Sequence, residues 1–151
     1  MFDLAGPVGT LAGGFISDRL FRSKRIPICV LSLFCLAIFM PAFRYLPPTR
    51  LAVGSGMFLI GFLIYIPDSL VAGAAAIDFG TKKGASTASG LVNGLGSLGQ
   101  IVGVTLPGWA GSVVGKGHEI WNPIFLWLGG ALALAGLLLM PQWNRLPPTA
   151  K

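Results

Sequence analysis

Long runs of apolar residues alternate with short polar connectors along the whole sequence. Each run approaches the ~20 residues that an α-helix needs to cross a bilayer. Because a backbone in contact with lipid must satisfy its own hydrogen bonds, helices are expected rather than open strands. The predicted spans are residues 1–18, 27–44, 51–77, 85–114 and 122–143. The pattern therefore predicts an all-α membrane protein with about five transmembrane helices.

The composition supports a membrane protein. Hydrophobic residues make up 54% of the 151 residues and charged residues only 11%, against roughly 25% charged in a typical soluble domain. The net charge is +6, which on a soluble chain would suggest nucleic-acid binding. Here the basic residues cluster at the ends of apolar runs, so membrane topology explains them better. We therefore expect the chain to contact a lipid bilayer and not to bind nucleic acid.

The basic residues also predict an orientation, because cytoplasmic loops carry an excess of Lys and Arg. Alternate connectors fall into two sets. One set holds eight basic residues: Arg19, Arg22, Lys24, Arg25, Lys82, Lys83, Arg145 and Lys151. The other holds three: Arg44, Arg50 and Lys116. The first set is predicted to be cytoplasmic, with the N-terminus outside, the C-terminus inside and the chain in a plasma membrane, such as a bacterial inner membrane.

The fourth span carries polar residues at membrane depth. Ser86, Ser89, Asn93, Ser97 and Gln100 are spaced by three or four positions, which places them on one face of a helix. Two G-x-x-x-G pairs, Gly90 with Gly94 and Gly99 with Gly103, are typical of closely packed membrane helices. This combination favours a helix that lines an aqueous path. The alternative is a polar stripe that only holds neighbouring helices together.

The same span contains Gly94, Gly96 and Gly99 in the spacing of a dinucleotide-binding loop, with Glu119 about twenty residues beyond. That motif requires a buried strand before the glycines, and the preceding stretch is small and polar. We interpret the spacing as coincidental. A single His and the absence of a nucleophile–base arrangement indicate that the chain is not an enzyme, and no metal or cofactor is expected.

The connector after the first span reads GFISDRLFRSKR, residues 14–25. Its pattern of Gly14, Asp18, Arg19, Arg22 and Lys24 resembles the signature loop of major facilitator superfamily transporters. The resemblance implies a charged cytoplasmic latch that breaks when the transporter changes state. Lys82 and Lys83, in the third connector, either lock the same gate or serve only as topology charges.

Three stretches together extend the resemblance: AGPVGTLAGGFISDRLFR, GFLIYIPDSLVAG and TKKGASTASGLVNGLGSLG. They are similar to the organophosphate:phosphate antiporter family, whose members exchange organic phosphates for inorganic phosphate by alternating access. The resemblance implies that the chain matches helices eight to twelve of a twelve-helix transporter, with the first helix truncated. It also implies an anionic phosphate substrate and a missing N-terminal half, in the same or a separate chain, that carries the key phosphate-binding arginines.

The resemblance also assigns residues to the substrate path. Tyr65 matches a pore-facing tyrosine of the family, and Gly96 falls where a relative has a second pore tyrosine. Asn93, Ser97 and Gln100 complete the set from the polar stripe. Asp68 departs from the family by being charged inside the membrane, where a carboxylate is costly and is a functional candidate. It serves either in transport or in a structural ion pair.

The sequence thus predicts a secondary active transporter whose isolated 151-residue chain is inactive. Two alternatives stay open at this stage. The chain could be a membrane scaffold or partner subunit from a split gene, or a transporter-like sensor of sugar phosphate.

Overall fold

The computed structural model describes residues 1–22, 24–75, 84–114 and 121–144. Every regular element in these ranges is helical, and none is a strand. The elements are α1 (Ala5–Leu20), α2 (Arg25–Phe43), α3 (Arg50–Asp68), a π-helical segment (Ser69–Ala75), α4 (Ala85–Val114), α5 (Trp121–Leu139) and a 3₁₀ turn (Met140–Gln142). The prediction of an all-α membrane protein is confirmed.

Local sequence explains where several helices begin and end. Thr49 caps α3, since its side chain accepts a hydrogen bond from the Ala52 N–H at 3.2 Å. Pro47 and Pro48 precede this cap, where they separate α3 from α2. The predicted third span, residues 51–77, is α-helical only to Asp68. Pro67 cannot donate to the carbonyl four residues earlier, and the helix continues from Ser69 in the wider π form.

The helices pack in the order α1, α3, α2, α5, each against the next. The centre of the bundle is a cluster of Ile28 and Cys29 from α2 with Ile66 and Leu70 from α3 and the π-helical segment. Partly buried side chains surround this cluster: Ile16, Phe21, Phe62, Val71 and Leu139. Because these side chains come from α1, α2, α3, the π-helical segment, α5 and the α1–α2 turn, the apolar core joins the whole row.

Glycines allow close approach at two of these interfaces. A Cβ atom added at Gly9 of α1 would lie 2.7 Å from the Phe62 carbonyl oxygen of α3, and one at Gly61 would lie 2.7 Å from the Phe2 carbonyl oxygen. In α5, a Cβ at Gly129 would lie 2.9 Å from the Ala37 carbonyl oxygen of α2. These backbones touch only because the side chains are absent, as is common between membrane helices.

Helix α4 packs only weakly against this row. In the described ranges it contacts the π-helical segment and α5 but not α3. Large apolar side chains along it, including Leu91, Leu95 and Leu98, are each more than 60% exposed. This helix therefore presents both its apolar and its polar faces to the surroundings.

Three helical stretches of the described chain are long and apolar enough to cross a membrane: Arg25–Phe43, Arg50–Gly73 and Pro123–Gln142. Helix α1 has 16 residues, which is short for a bilayer. The outer surface of these stretches is apolar, with Leu51, Ile38 and Trp127 each more than 70% exposed. Such a surface is unusual for a soluble monomer and is suited to contact with lipid.

Candidate functional site

The α1–α2 turn, described at residues 21, 22 and 24, is held in place by a buried serine. Ser17 is fully buried in the last turn of α1, and its hydroxyl donates to the Lys24 carbonyl oxygen at 3.3 Å. The Phe21 N–H donates to the Ser17 carbonyl at 3.3 Å, and the Lys24 N–H donates to the Phe21 carbonyl at 3.0 Å. These hydrogen bonds hold Phe21 and Lys24 in place from inside the bundle.

This turn brings the predicted signature-loop residues to one end of the bundle. Asp18, Arg19 and Arg22 are exposed there, and the Arg19 guanidinium lies 5.6 Å from the centroid of the Phe15 ring. A Cβ added at Gly14, one turn earlier, would meet no atom within 4 Å. The arrangement is an exposed, mainly basic surface beside the turn that Ser17 holds. Lys82 and Lys83, the other predicted gate residues, lie outside the described residues.

A long-range hydrogen bond joins this turn to the end of the last helix. The Lys24 ammonium donates to the Asn144 side-chain oxygen at 3.2 Å, across 120 positions of sequence. The ends of α1 and α5 are therefore at the same end of the bundle. This placement is the one that the predicted topology requires for two cytoplasmic connectors.

Tyr65 lies against α1, in a space created by glycines. A Cβ at Gly6 would approach the Tyr65 ring to 3.2 Å, and one at Gly9 would approach the Tyr65 Cβ to 3.3 Å. The ring of Phe2 lies beside it, with 5.8 Å between the two centroids. Tyr65 is half-buried, so part of its ring remains accessible from outside the α1–α3 contact.

Asp68 is the last residue of α3 and directly precedes the π-helical segment. Its carboxylate is exposed, and no ion pair with it is found among the described residues. Ser69 is partly buried, and its hydroxyl donates to the Ile66 carbonyl at 3.1 Å. Short π-helical stretches inside α-helices occur frequently at functional sites, and here the stretch begins beside the charged residue.

The polar stripe of α4 is anchored at one end and open along the rest. The Ser89 hydroxyl donates to the Ala72 carbonyl of the π-helical segment at 2.8 Å. Asn93, Ser97 and Gln100 are exposed, and the Ser97 hydroxyl donates back to the Asn93 carbonyl at 3.0 Å. A Cβ at Gly96 would meet no atom within 4 Å.

The G-x-x-x-G pairs of α4 have no close neighbour in the described part of the chain. A Cβ at Gly90, Gly94, Gly99 or Gly103 would meet nothing within 4 Å. The close packing predicted for these glycines is therefore not found between the helices described here. Nor does the structure bring together the two groups of predicted path residues, Tyr65 with Asp68 on α3 and the polar set on α4.

An open apolar groove of about 420 Å³ lies on α5. It is lined by Leu126, Trp127, Gly130, Ala131 and Leu134. No charged or hydrogen-bonding side chain lines it apart from the indole of Trp127, so the groove is not suited to an anionic phosphate. It lies on the outer surface of an apolar helix, and we interpret it as a surface that faces lipid.

The described residues contain no group of three His, Cys, Asp or Glu side chains able to hold a metal ion. The polar groups described above are hydroxyls, carboxamides, the Asp68 carboxylate and the charged residues of the α1–α2 turn. Such groups can bind and orient a polar molecule through hydrogen bonds and charge.

Two residues of this arrangement were missed from the sequence. Ser17 lies within the stretch GFISDRLFRSKR, and its only sequence signal is that a serine inside the last apolar turn of a helix is a possible donor to the following loop. Asn144 had no local signal, because its contact with Lys24 depends on the folding of the whole bundle.

No protein-family model matches the chain, and no solved structure matches it. Curated relatives do match along nearly its whole length. The glycerol-3-phosphate transporter of Bacillus subtilis is 37% identical over 95% of this chain and 32% of its own length. The glucose-6-phosphate exchanger SLC37A2 of Xenopus tropicalis is 31% identical over 93% of the chain and 28% of its own length. The membrane sensor protein UhpC of Escherichia coli is 29% identical over 98% of the chain and 33% of its own length. The chain thus spans about a third of the length of these relatives.

Proposed function

Because the chain belongs to the organophosphate:phosphate antiporter family of the major facilitator superfamily, we propose that it forms part of a secondary active transporter. The transporter would exchange an organic phosphate ester for inorganic phosphate by alternating access. The expectation that the chain is not an enzyme is confirmed by this family.

The observation that carries the proposal is the match to sugar-phosphate transporters over nearly all of the chain. The structure supports the proposal, because the polar stripe lies on α4, a helix whose residues are mostly exposed. In transporters of this superfamily the substrate site lies between two halves near the bilayer midplane. The exposed Asn93, Ser97 and Gln100, together with Tyr65 and Asp68, would form one side of such a site.

We propose that the remaining side is supplied by further helices, on the same or a separate chain. Since the chain spans about a third of its relatives' length, the 151 residues alone would lack one wall of the cavity. The predicted phosphate-binding arginines would belong to that other wall. A binding site with one wall cannot alternate its access, so the chain alone is expected to be inactive.

Reconstitution tests this proposal. The chain is placed in proteoliposomes alone, or together with the part of the Bacillus subtilis transporter that lies outside the matched segment. We expect exchange of radiolabelled phosphate only in the complemented vesicles. The segment of the Bacillus subtilis transporter without this chain serves as the matched control. Robust exchange by the 151 residues alone would contradict the two-walled site.

A sensor is the second proposal, favoured by the match to the membrane sensor UhpC over 98% of the chain. A sensor would bind sugar phosphate without turnover. In the complemented vesicles it would show saturable binding of labelled glucose 6-phosphate with no exchange of phosphate. Binding together with exchange would establish the transporter instead.

A further inference from the structure

At the α1–α3 contact, each of two aromatic residues lies against a glycine of the opposite segment. The Tyr65 ring of α3 lies against Gly6 of α1, where an added Cβ would approach its Cζ atom to 3.2 Å. Phe2, shortly before α1, lies against Gly61 of α3, where an added Cβ would lie 3.2 Å from the Phe2 ring. We propose that Gly6 and Phe2 are positioning residues, which hold the Tyr65 hydroxyl in the direction in which it donates to a phosphate oxygen. This inference rests on the proposed transport function.

The two contacts share one register. In each segment the aromatic residue and the glycine are four positions apart, about one helical turn: Phe2 with Gly6, and Gly61 with Tyr65. The two rings also meet, with 5.8 Å between their centroids, a distance typical of attractive aromatic pairs. The Ala5 N–H donates to the Phe2 carbonyl oxygen at 3.0 Å, which joins Phe2 to the first turn of α1. The Tyr65 ring is therefore contacted by residues that belong to one packed unit.

Gly6 faces the hydroxyl end of the Tyr65 ring. A Cβ at Gly6 would lie 3.2 Å from Cζ, the atom that carries the hydroxyl, and 3.3 and 3.4 Å from the two Cε atoms. Gly9, by contrast, faces the Tyr65 Cβ, at 3.3 Å. A methyl group at Gly6 would therefore displace the ring by a few tenths of an ångström at the end where the hydroxyl is attached.

The Tyr65 hydroxyl is available to a ligand. Tyr65 lies within the apolar stretch Arg50–Gly73 and is half-buried, and its hydroxyl has no hydrogen-bond partner among the described residues. Tyrosine hydroxyls in such surroundings usually have a partner. A phenol O–H can donate to an anionic phosphate oxygen, and this kind of bond is short and sensitive to direction. A small displacement of the ring therefore weakens the bond without removing either group.

Exchange of radiolabelled inorganic phosphate in the complemented vesicles tests the role of Gly6. Gly6→Ala is made in the Tyr65 chain and in a Tyr65→Phe chain, which keeps the ring but lacks the hydroxyl. Gly130→Ala on α5 is the matched control, because a Cβ there meets nothing within 4 Å. We expect Tyr65→Phe to raise the KM for phosphate about tenfold, since it removes a hydrogen bond to a charged group.

Gly6→Ala should raise the same KM several-fold when Tyr65 is present, with the maximal rate nearly unchanged. In the Tyr65→Phe chain it should have no further effect, and Gly130→Ala should have none in either chain. The added methyl group meets the ring in both backgrounds, so an effect of packing alone would appear in both. An equal rise of KM in the two backgrounds, or no rise with Tyr65 present, would overturn the proposal.

Fluorine NMR tests the contact without transport. Tyr45→Phe leaves Tyr65 as the only tyrosine, and 3-fluorotyrosine is incorporated into this chain alone. We expect Phe2→Leu and Gly6→Ala each to shift the Tyr65 resonance, because the first removes a ring whose centroid is 5.8 Å away and the second displaces the labelled ring. Gly130→Ala should leave the resonance in place. A resonance that neither Phe2→Leu nor Gly6→Ala shifts would overturn the proposal.

Inorganic phosphate added to the labelled, complemented protein distinguishes this proposal from the proposed function. We expect phosphate to shift the Tyr65 resonance, and Gly6→Ala to move the midpoint of that titration to a several-fold higher concentration. This result in vesicles that show no exchange would contradict the exchanger and support the positioning role. Exchange with a Tyr65 resonance that phosphate does not shift would overturn the positioning role and support the exchanger.

Discussion

Arg22 has a φ of 50°, and no other non-glycine residue with a positive φ is found in the described ranges. This left-handed conformation is costly for a residue with a Cβ atom. The cost is imposed by the α1–α2 turn, which the Ser17 hydroxyl and the Phe21–Lys24 bond close from both sides. The turn therefore holds one basic residue in a strained backbone and directs it outwards.

Arg22→Gly is expected to stabilise the chain by up to about 1 kcal/mol, because glycine adopts positive φ without a steric penalty. The matched control is Arg19→Gly in the last turn of α1, which is expected to lose about 1 kcal/mol of helix propensity. Thermal unfolding in detergent, followed by circular dichroism, measures both. A destabilised Arg22→Gly variant would show that its side chain contributes more than its backbone strain removes.

At the scale of single residues, the sequence predicted the location of the basic residues in the α1–α2 turn but not the hydrogen bonds that hold the turn. Gly14, Asp18, Arg19 and Arg22 are near neighbours in the chain, so their common location follows from the sequence. The hydrogen bonds of the turn depend on the burial of Ser17, which results from tertiary packing and is not visible in the local sequence. The roles assigned to these residues in gating stay predictions.

Among the helix pairs, α1 and α3 are joined most visibly by glycines. Gly6, Gly9 and Gly13 of α1 lie against Tyr65, Phe62 and Ile66 of α3. The close approach places Tyr65 where one side of its ring is covered. A change in the distance between α1 and α3 would therefore move Tyr65, a predicted substrate-path residue, without a substitution at Tyr65 itself.

Gly9→Ala is expected to destabilise the bundle by about 1–3 kcal/mol, the usual cost of overpacking, since its Cβ would lie 2.7 Å from a backbone oxygen. Gly14→Ala on the same helix is the control, because a Cβ there meets nothing within 4 Å. The control should be neutral or gain up to about 1 kcal/mol of helix propensity. Equal midpoints of thermal unfolding for the two variants would contradict the glycine contact.

At the scale of the elements, the described helices lie near the predicted spans, and three of the described stretches are long and apolar enough to cross a membrane. It did not predict the π-helical segment, because apolar residues at i and i+4 do not reveal which carbonyl each N–H will bind. Pro67 signalled a disturbance but not its form. The spacing of the polar residues in α4 predicted that they share one face of the helix. It did not predict which other helix that face contacts.

The described molecule is a row of four helices, with α4 attached near the π-helical segment. Lys24 and Asn144 meet at one end of the row. At the other end Met1 approaches Gly54, where an added Cβ would lie 3.7 Å from the methionine Cγ. This arrangement separates the basic turn from the α2–α3 connector, as the charge distribution predicts.

Labelling of single cysteines in a Cys29→Ala, Cys35→Ala background tests the proposed orientation. With an impermeant maleimide on intact cells, Tyr45→Cys in the α2–α3 turn should react. Asn144→Cys should react only after the membrane is permeabilised, because its connector belongs to the basic set expected in the cytoplasm. The reverse pattern would place the N-terminus inside and contradict the predicted topology.

The pairing of α2 with α5, and of Lys24 with Asn144 across 120 positions, also has a consequence for biogenesis. During synthesis α2 enters the membrane long before α5, the helix it contacts most, has been translated. Contacts between distant parts of a chain form late. Until α5 is inserted, the surface of α2 that will contact it is exposed to lipid or to the insertion machinery. Ribosome stalling near the C-terminus should therefore leave the first helices membrane-inserted yet sensitive to quality-control proteases.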